Sequence, residues 1–157
     1  MRSLNQSHRT THTTVGLIPA RWHSSRFDGK PLAEIDGVPM IKRVYDQAML
    51  CKNLDTVVIL TDDMRIYSYC QGLTMPVEMI VSDKIKTGTD RCAEAIKFLE
   101  GRVFVNIQGD EPLINPDAID SLIENHTGGV SNAYVDIDDD YKLHDKNCLL
   151  YTSDAAD

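Results

Sequence analysis

Four short apolar runs, each separated from the next by enough chain for one helix, constrain this sequence more than any other feature. Val15-Gly16-Leu17-Ile18 and residues 56–60, 77–81 and 103–107 are each too short for a buried helix, and all but the first are rich in β-branched residues. They read as buried strands. Between them the period changes. Residues 38–51 carry Ile41, Val44, Tyr45 and Ala48 on one helical face, with Pro39 near the first turn. A small turn at Gly37 precedes that helix. Residues 62–71 read as a second helix stopped by Gly72. Residues 89–100 place Cys92, Ala95, Ile96 and Leu99 at i, i+3, i+4 and i+7. Asn115-Pro116-Asp117 then supplies a cap, a proline at the first helical position and an acid in the first turn. Ile119, Leu122 and Ile123 form its stripe, Gly128-Gly129 ends it, and residues 130–137 read as a fifth strand.

Strand and helix alternating at this spacing predict an α/β fold: an open, mainly parallel, twisted sheet with helices on both faces. Such sheets bind ligands at the carboxyl ends of their strands. The loops that follow the first, third and fourth runs, 21–30, 82–88 and 108–112, therefore hold the candidate functional residues.

The 157 residues are 42% hydrophobic and 25% charged, which suits one globular domain. A chain of this size buries about 68–70% of its unfolded surface, so disorder throughout is excluded. Twenty-four acidic against 16 basic residues leave a net charge of −8. That balance argues against nucleic acid as a partner, because duplex affinity rests on basic charge. The apolar runs fall far short of the roughly 20 residues that span a bilayer, so no membrane partner is expected. Cys51, Cys70, Cys92 and Cys148 form no C-x-x-C pair and have no histidine at zinc spacing. They are expected to be reduced, buried thiols of a cytoplasmic protein. Residues 1–14, polar and free of acids, lack an apolar signal core and read as a disordered extension. Seven aspartates against two lysines crowd residues 136–157. Asp136-Ile137-Asp138-Asp139-Asp140 lacks the glycine of a calcium loop and reads as solvated. Residues 148–157 continue no earlier pattern and read as a non-native tail, leaving 15–147 as the α/β domain.

The first loop runs Pro19-Ala20-Arg21-Trp22-His23-Ser24-Ser25-Arg26-Phe27-Asp28-Gly29-Lys30-Pro31. Two arginines and a lysine beside a glycine suit a polyanion, and a solvated surface loop is the alternative. A P-loop is excluded by counting, since Ser24 stands where its first glycine belongs and Pro31 where its Ser/Thr belongs. No G-x-G-x-x-G is present. The later loop, Gln108-Gly109-Asp110-Glu111-Pro112, puts a carboxylate just past a buried strand. Mg²⁺ is commonly held there by one or two carboxylates plus phosphate oxygens; a turn that merely ends the strand is the other reading.

Taken in order, Ile18-Pro19-Ala20-Arg21, Gly29-Lys30-Pro31-Leu32, Gly37-Val38-Pro39-Met40-Ile41, Thr61-Asp62, Gly88-Thr89-Asp90-Arg91 and Asn106-Ile107-Gln108-Gly109-Asp110-Glu111-Pro112 form a series. Over residues 15 to about 135 it closely resembles the 3-deoxy-manno-octulosonate (Kdo) cytidylyltransferase family. The resemblance implies a Rossmann-like nucleotidyltransferase fold. It also implies a cytoplasmic homodimer that uses Mg²⁺ to transfer CMP from CTP to the C2 hydroxyl of Kdo, for lipopolysaccharide synthesis. Carried over by position, Arg21 and Lys30 match triphosphate contacts, and with Asp110 they form the catalytic set. Ala20, Thr89, Arg91 and Gln108 match the nucleotide wall. Arg26 and Gln108 match contacts to the sugar acid, and Asp110 matches a metal-binding aspartate. Asp28 stands where the family usually has proline. Family members are substantially longer, so a C-terminally truncated fold is expected, with much of the sugar pocket, the dimer interface and a second metal aspartate beyond this chain. Two alternatives remain beside this reading: a cytidylyltransferase for another 2-keto sugar acid, and a nucleotide-binding fragment without catalysis.

Overall fold

In the computed structural model, the described residues are 14–24 and 27–133. The chain divides into two compact units, Met1–His126 and Thr127–Asp157. The first holds all the regular structure described below. In the second, residues 127–133 take no helix or strand, and Gly128 and Gly129 have φ of 120° and 73°. Of the fifth strand expected over 130–137, residues 130–133 are therefore not strand, and the rest lies outside the described residues.

Four strands form an all-parallel sheet: β1 (Thr14–Ala20), β4 (Thr56–Thr61), β5 (Val77–Met79) and β6 (Val103–Asn106), in the order β5-β4-β1-β6. Strand β1 starts at Thr14, one residue inside the expected extension; residues 1–13 and 148–157 lie outside the described residues. Alternation sorts the side chains to two faces. Ile18, Ala20, Val57, Ile59, Val105 and Ile107 pack with the helices α1 (Met40–Ala48), α2 (Met64–Gly72) and α4 (Pro116–Glu124). Val15, Leu17, Val58 and Leu60 pack on the opposite face with Cys92 and Ala95 of α3 (Gly88–Ala95). Both faces are thus covered, as a parallel sheet requires. Leu17, Ile18, Ile59 and Leu60 are fully buried.

The first helix begins later than expected. Asp36 and Gly37 both take positive φ, 49° and 73°, the geometry of a two-residue I′ hairpin. The turn joins β2 (Glu34–Ile35) to an antiparallel β3 (Val38–Pro39), so Val38 and Pro39 belong to a strand. Helix α1 then starts at Met40, with extended Pro39 as its cap. Helix α3 is shorter than the 89–100 expected. It starts at Gly88 behind a capping box of Thr87 and Asp90. Helix α4 matches its cap: Asn115 accepts the Asp117 amide at 3.0 Å, and Pro116 is first in the helix.

Candidate active site

The strand order reverses at β1. The chain moves outward from β1 to β4 and β5, then crosses back to place β6 on the other side. A crevice opens at such a switch point, between the loops that leave the two adjacent strands. Here those are the loop after β1 and the loop after β6, both singled out by the sequence.

Ala20 closes β1 and is buried; Arg21 follows it at the surface. Among the described residues the Arg21 guanidinium has no hydrogen-bond or ion-pair partner. The loop returns at Gly29, whose φ of 71° lies in the left-handed region. A Cβ there would stand 2.8 Å from the Trp22 ring, so glycine is needed on both counts. Gly29 donates to the Trp22 carbonyl at 2.8 Å and leads into the 3-10 turn Lys30–Leu32. Asp28, the departure from the family pattern, accepts the Ser24 amide at 3.1 Å and lies 3.5 Å from His23. Its charge is spent on the loop's own backbone. Arg26 lies outside the described residues.

The loop after β6 meets this one. Gly109 passes so close to β1 that a Cβ would lie 2.5 Å from the Pro19 carbonyl oxygen. Asp110 follows, and its Oδ2 accepts Lys30 Nζ at 2.9 Å across 80 residues of sequence. Both side chains are about half exposed. Gln108 is exposed beside them. Glu111 donates its amide to the Gln108 carbonyl at 3.3 Å and closes the turn. Burial, and then the charge of Asp110, push the Glu111 carboxyl above its ordinary range. The amino end of α3 also reaches the end of β1, where a Cβ at Gly88 would lie 3.0 Å from Pro19 Cγ. The amides of Asp90, Thr87 and Lys86 are used within the capping box. Those of Gly88 and Thr89 have no partner among the described residues. Three segments thus converge on Pro19, bringing Arg21, Lys30, Gly88, Thr89, Gln108 and Asp110 to one end of the sheet.

Arg91 sits differently. It is 5% exposed, and its guanidinium is engaged by Asp62 at 2.5 Å and by the Ile80 carbonyl. Asp62 and Trp22 are the residues sequence reasoning missed as site components. Thr61-Asp62 marked only the resemblance there, although an acid at the carboxyl end of a buried strand is the same signal that drew attention to Asp110.

The oxygen donors present suit a hard divalent cation. Asp110 already holds a cation, the Lys30 ammonium, at the crevice. No group of three or more His, Cys, Asp or Glu gathers among the described residues, so one carboxylate is what these residues offer. Phosphate oxygens of a ligand would have to complete the shell. Cys51, Cys70 and Cys92 are buried free thiols, each pushed up to about 11 by burial first, and none is a nucleophile at neutral pH.

Residues 15–155 match the cytidylyltransferase family. The chain belongs to this family. It is 47% identical over 123 residues to the mitochondrial 3-deoxy-manno-octulosonate cytidylyltransferase of Arabidopsis thaliana, covering 77% of this chain and 42% of that protein. It is 50% identical over 110 residues to the 8-amino-3,8-dideoxy-manno-octulosonate cytidylyltransferase of Shewanella sp. strain W3-18-1, covering 68% and 44%. The solved structure of CMP:2-keto-3-deoxy-manno-octonic acid synthetase complexed with CTP superposes with a TM-score of 0.68 at 38% identity, over 71% of this chain and 46% of that one. The chain therefore spans less than half the length of these relatives. No helix among its described residues is long and apolar enough to cross a membrane.

Proposed function

We propose that the crevice between the β1 and β6 loops binds the triphosphate of CTP with a divalent cation, and that the whole protein transfers CMP to the C2 hydroxyl of Kdo. The observation that carries this reading is the Lys30–Asp110 pair at the strand switch point, a cation for phosphate and an anion for metal 2.9 Å apart. In the transfer, the sugar hydroxyl attacks the α-phosphorus and the α–β anhydride bond breaks. Pyrophosphate leaves, and the hydroxyl proton passes to solvent. Charge on the phosphate oxygens must be neutralised before an alcohol can approach, and positioning supplies the rest.

Arg21, without a partner in the described structure, and Lys30 bind the phosphates. The amides of Gly88 and Thr89 offer two further donors. Ala20 and Gln108 line the nucleotide, with Gln108 also facing the sugar side, and Arg26 meets the sugar acid. Asp110 would hold the cation, Mg²⁺ in this reading, which when bound supplies charge neutralisation at the phosphates. Lys30 must leave Asp110 as it does so, a modest cost for an exposed ion pair, about 0–1 kcal/mol. A cytoplasmic homodimer serving lipopolysaccharide synthesis belongs to the same proposal; three buried free thiols suit a reducing compartment.

A coupled pyrophosphate-release assay tests the proposal on this chain and on the chain extended to the length of its relatives. With CTP and Mg²⁺, release on adding Kdo is expected from the extended protein. Release with 8-amino-3,8-dideoxy-manno-octulosonate instead would move the assignment to the amino sugar, the substrate class named in the Shewanella relative. No release with either would overturn it.

A further inference from the structure

Asp62 stands one residue past β4 and has no place in the phosphate cradle proposed above. Its Oδ2 lies 2.5 Å from Arg91 Nη2, and its Oδ1 accepts the Trp22 amide at 3.4 Å. A buried cation persists only when paired and hydrogen-bonded. Arg91 meets that condition entirely at strand ends. Nη1 donates to the Ile80 carbonyl just past β5, and the Ile80 amide in turn donates to the Thr61 carbonyl at 2.7 Å. With its side chain 6% exposed and each terminal nitrogen bonded to a protein acceptor, Arg91 is committed to these strand ends. Its route to the crevice runs through what it holds.

What it holds leads to the loop. Trp22 receives Asp62 at its amide and closes the loop with its carbonyl, which accepts Gly29 N–H at 2.8 Å. Its ring fills the space beside Gly29, and Arg65 Cζ lies 3.3 Å above that ring. Asp63 in turn fixes Arg65 with a fork of two bonds, 2.8 and 2.7 Å. Gly29 immediately precedes Lys30. A continuous set of contacts therefore runs from the ends of β4 and β5 through Arg91, Asp62, Trp22 and Gly29 to the lysine assigned to phosphate.

We infer that Asp62 and Arg91 are positioning residues for the triphosphate loop, acting through the Trp22 backbone. The inference rests on the phosphate role given to that loop, yet it can be read without nucleotide. Trp22 is the sole tryptophan of the sequence, so its emission reports this loop alone. In Asp62→Asn the nucleotide-free protein should show a shifted Trp22 emission and greater quenching by acrylamide. CTP affinity, by calorimetry, should fall about tenfold, the scale of one lost charge-assisted contact. Affinity for CMP, which lacks the β- and γ-phosphates, should hold. Arg91→Lys keeps the charge but not the fork, so it should give a smaller change of the same kind. It also carries the test should Asp62→Asn fail to fold. Asp120→Asn, which disturbs a buried carboxylate between α1 and α4, is the stability control: lower melting temperature, with Trp22 emission and CTP affinity unchanged. Unaltered Trp22 emission and quenching in both Asp62→Asn and Arg91→Lys would overturn the inference. So would an equal loss of CTP and CMP affinity. A wild-type chain with no affinity for CTP would instead overturn the proposed function and leave the emission result standing.

Discussion

Asp110 and Glu111 are adjacent carboxylates with different surroundings, and those surroundings assign them different work. Asp110 faces Lys30 across the crevice, whereas Glu111 closes the turn and carries a raised carboxyl. In the extended protein, Asp110→Asn is expected to lower turnover by about 10² or more, the scale of one lost electrostatic contact to a transition state. Glu111→Gln should cost far less. Turnover that survives Asp110→Asn at limiting Mg²⁺ but vanishes in Glu111→Gln would move the metal role to Glu111. Gly109→Ala is a second residue-scale test. Its Cβ would meet the Pro19 carbonyl oxygen at 2.5 Å, which is backbone and cannot swing aside. Overpacking of this kind typically costs about 1–3 kcal/mol, and here it also displaces Asp110. Urea unfolding and CTP titration should both register it; a variant as stable and as tight as wild type would refute the close approach.

The elements were legible where local chemistry decides them and obscure where tertiary pairing does. Strand runs of branched apolar residues and the Asn115-Pro116-Asp117 cap point to β4 and α4 directly. The start of α1 does not follow from periodicity, because Asp36-Gly37 spends Val38 and Pro39 on a hairpin before the helix begins. The Lys30–Asp110 pair was readable as two loops at the sheet's carboxyl end. The Arg91–Asp62–Trp22 chain was not, because nothing in residue type distinguishes a buried arginine from one that lines a ligand. Two tests belong at this scale. Asp120 of α4 accepts the Lys52 and Asn53 amides just beyond α1, at 2.9–3.0 Å. Asp120→Ala leaves those amides without an acceptor, and a loss of about 1–3 kcal/mol is expected in urea unfolding; a loss near zero would show the anchor to be idle. At the start of α2, the Arg65 side chain above all holds the Asp63 carboxyl down to about 2. A depressed acid stabilises the fold above its unfolded value of about 3.9 and loses that contribution as the pH falls through its folded value. Wild type should therefore lose stability more steeply than Asp63→Asn between about pH 4 and 2; parallel curves would contradict the pairing.

Over the whole molecule, the fold does one thing for the site: it reverses strand order at β1, so two loops 80 residues apart in sequence face each other. The matched residues cover less than half of each relative, and the sugar acid is the part of the reaction these residues say least about. The triphosphate end is the part they say most about. The most direct measurement is a calorimetric titration of CTP with Mg²⁺ into the wild-type chain, into Lys30→Ala and into Lys52→Ala, a lysine away from the crevice. A charge-assisted contact to phosphate is worth about 1.5–3 kcal/mol, so Lys30→Ala should weaken CTP about ten- to a hundredfold while Lys52→Ala matches wild type. Equal CTP affinity in the two variants would contradict the assignment of the β1–β6 crevice to the triphosphate.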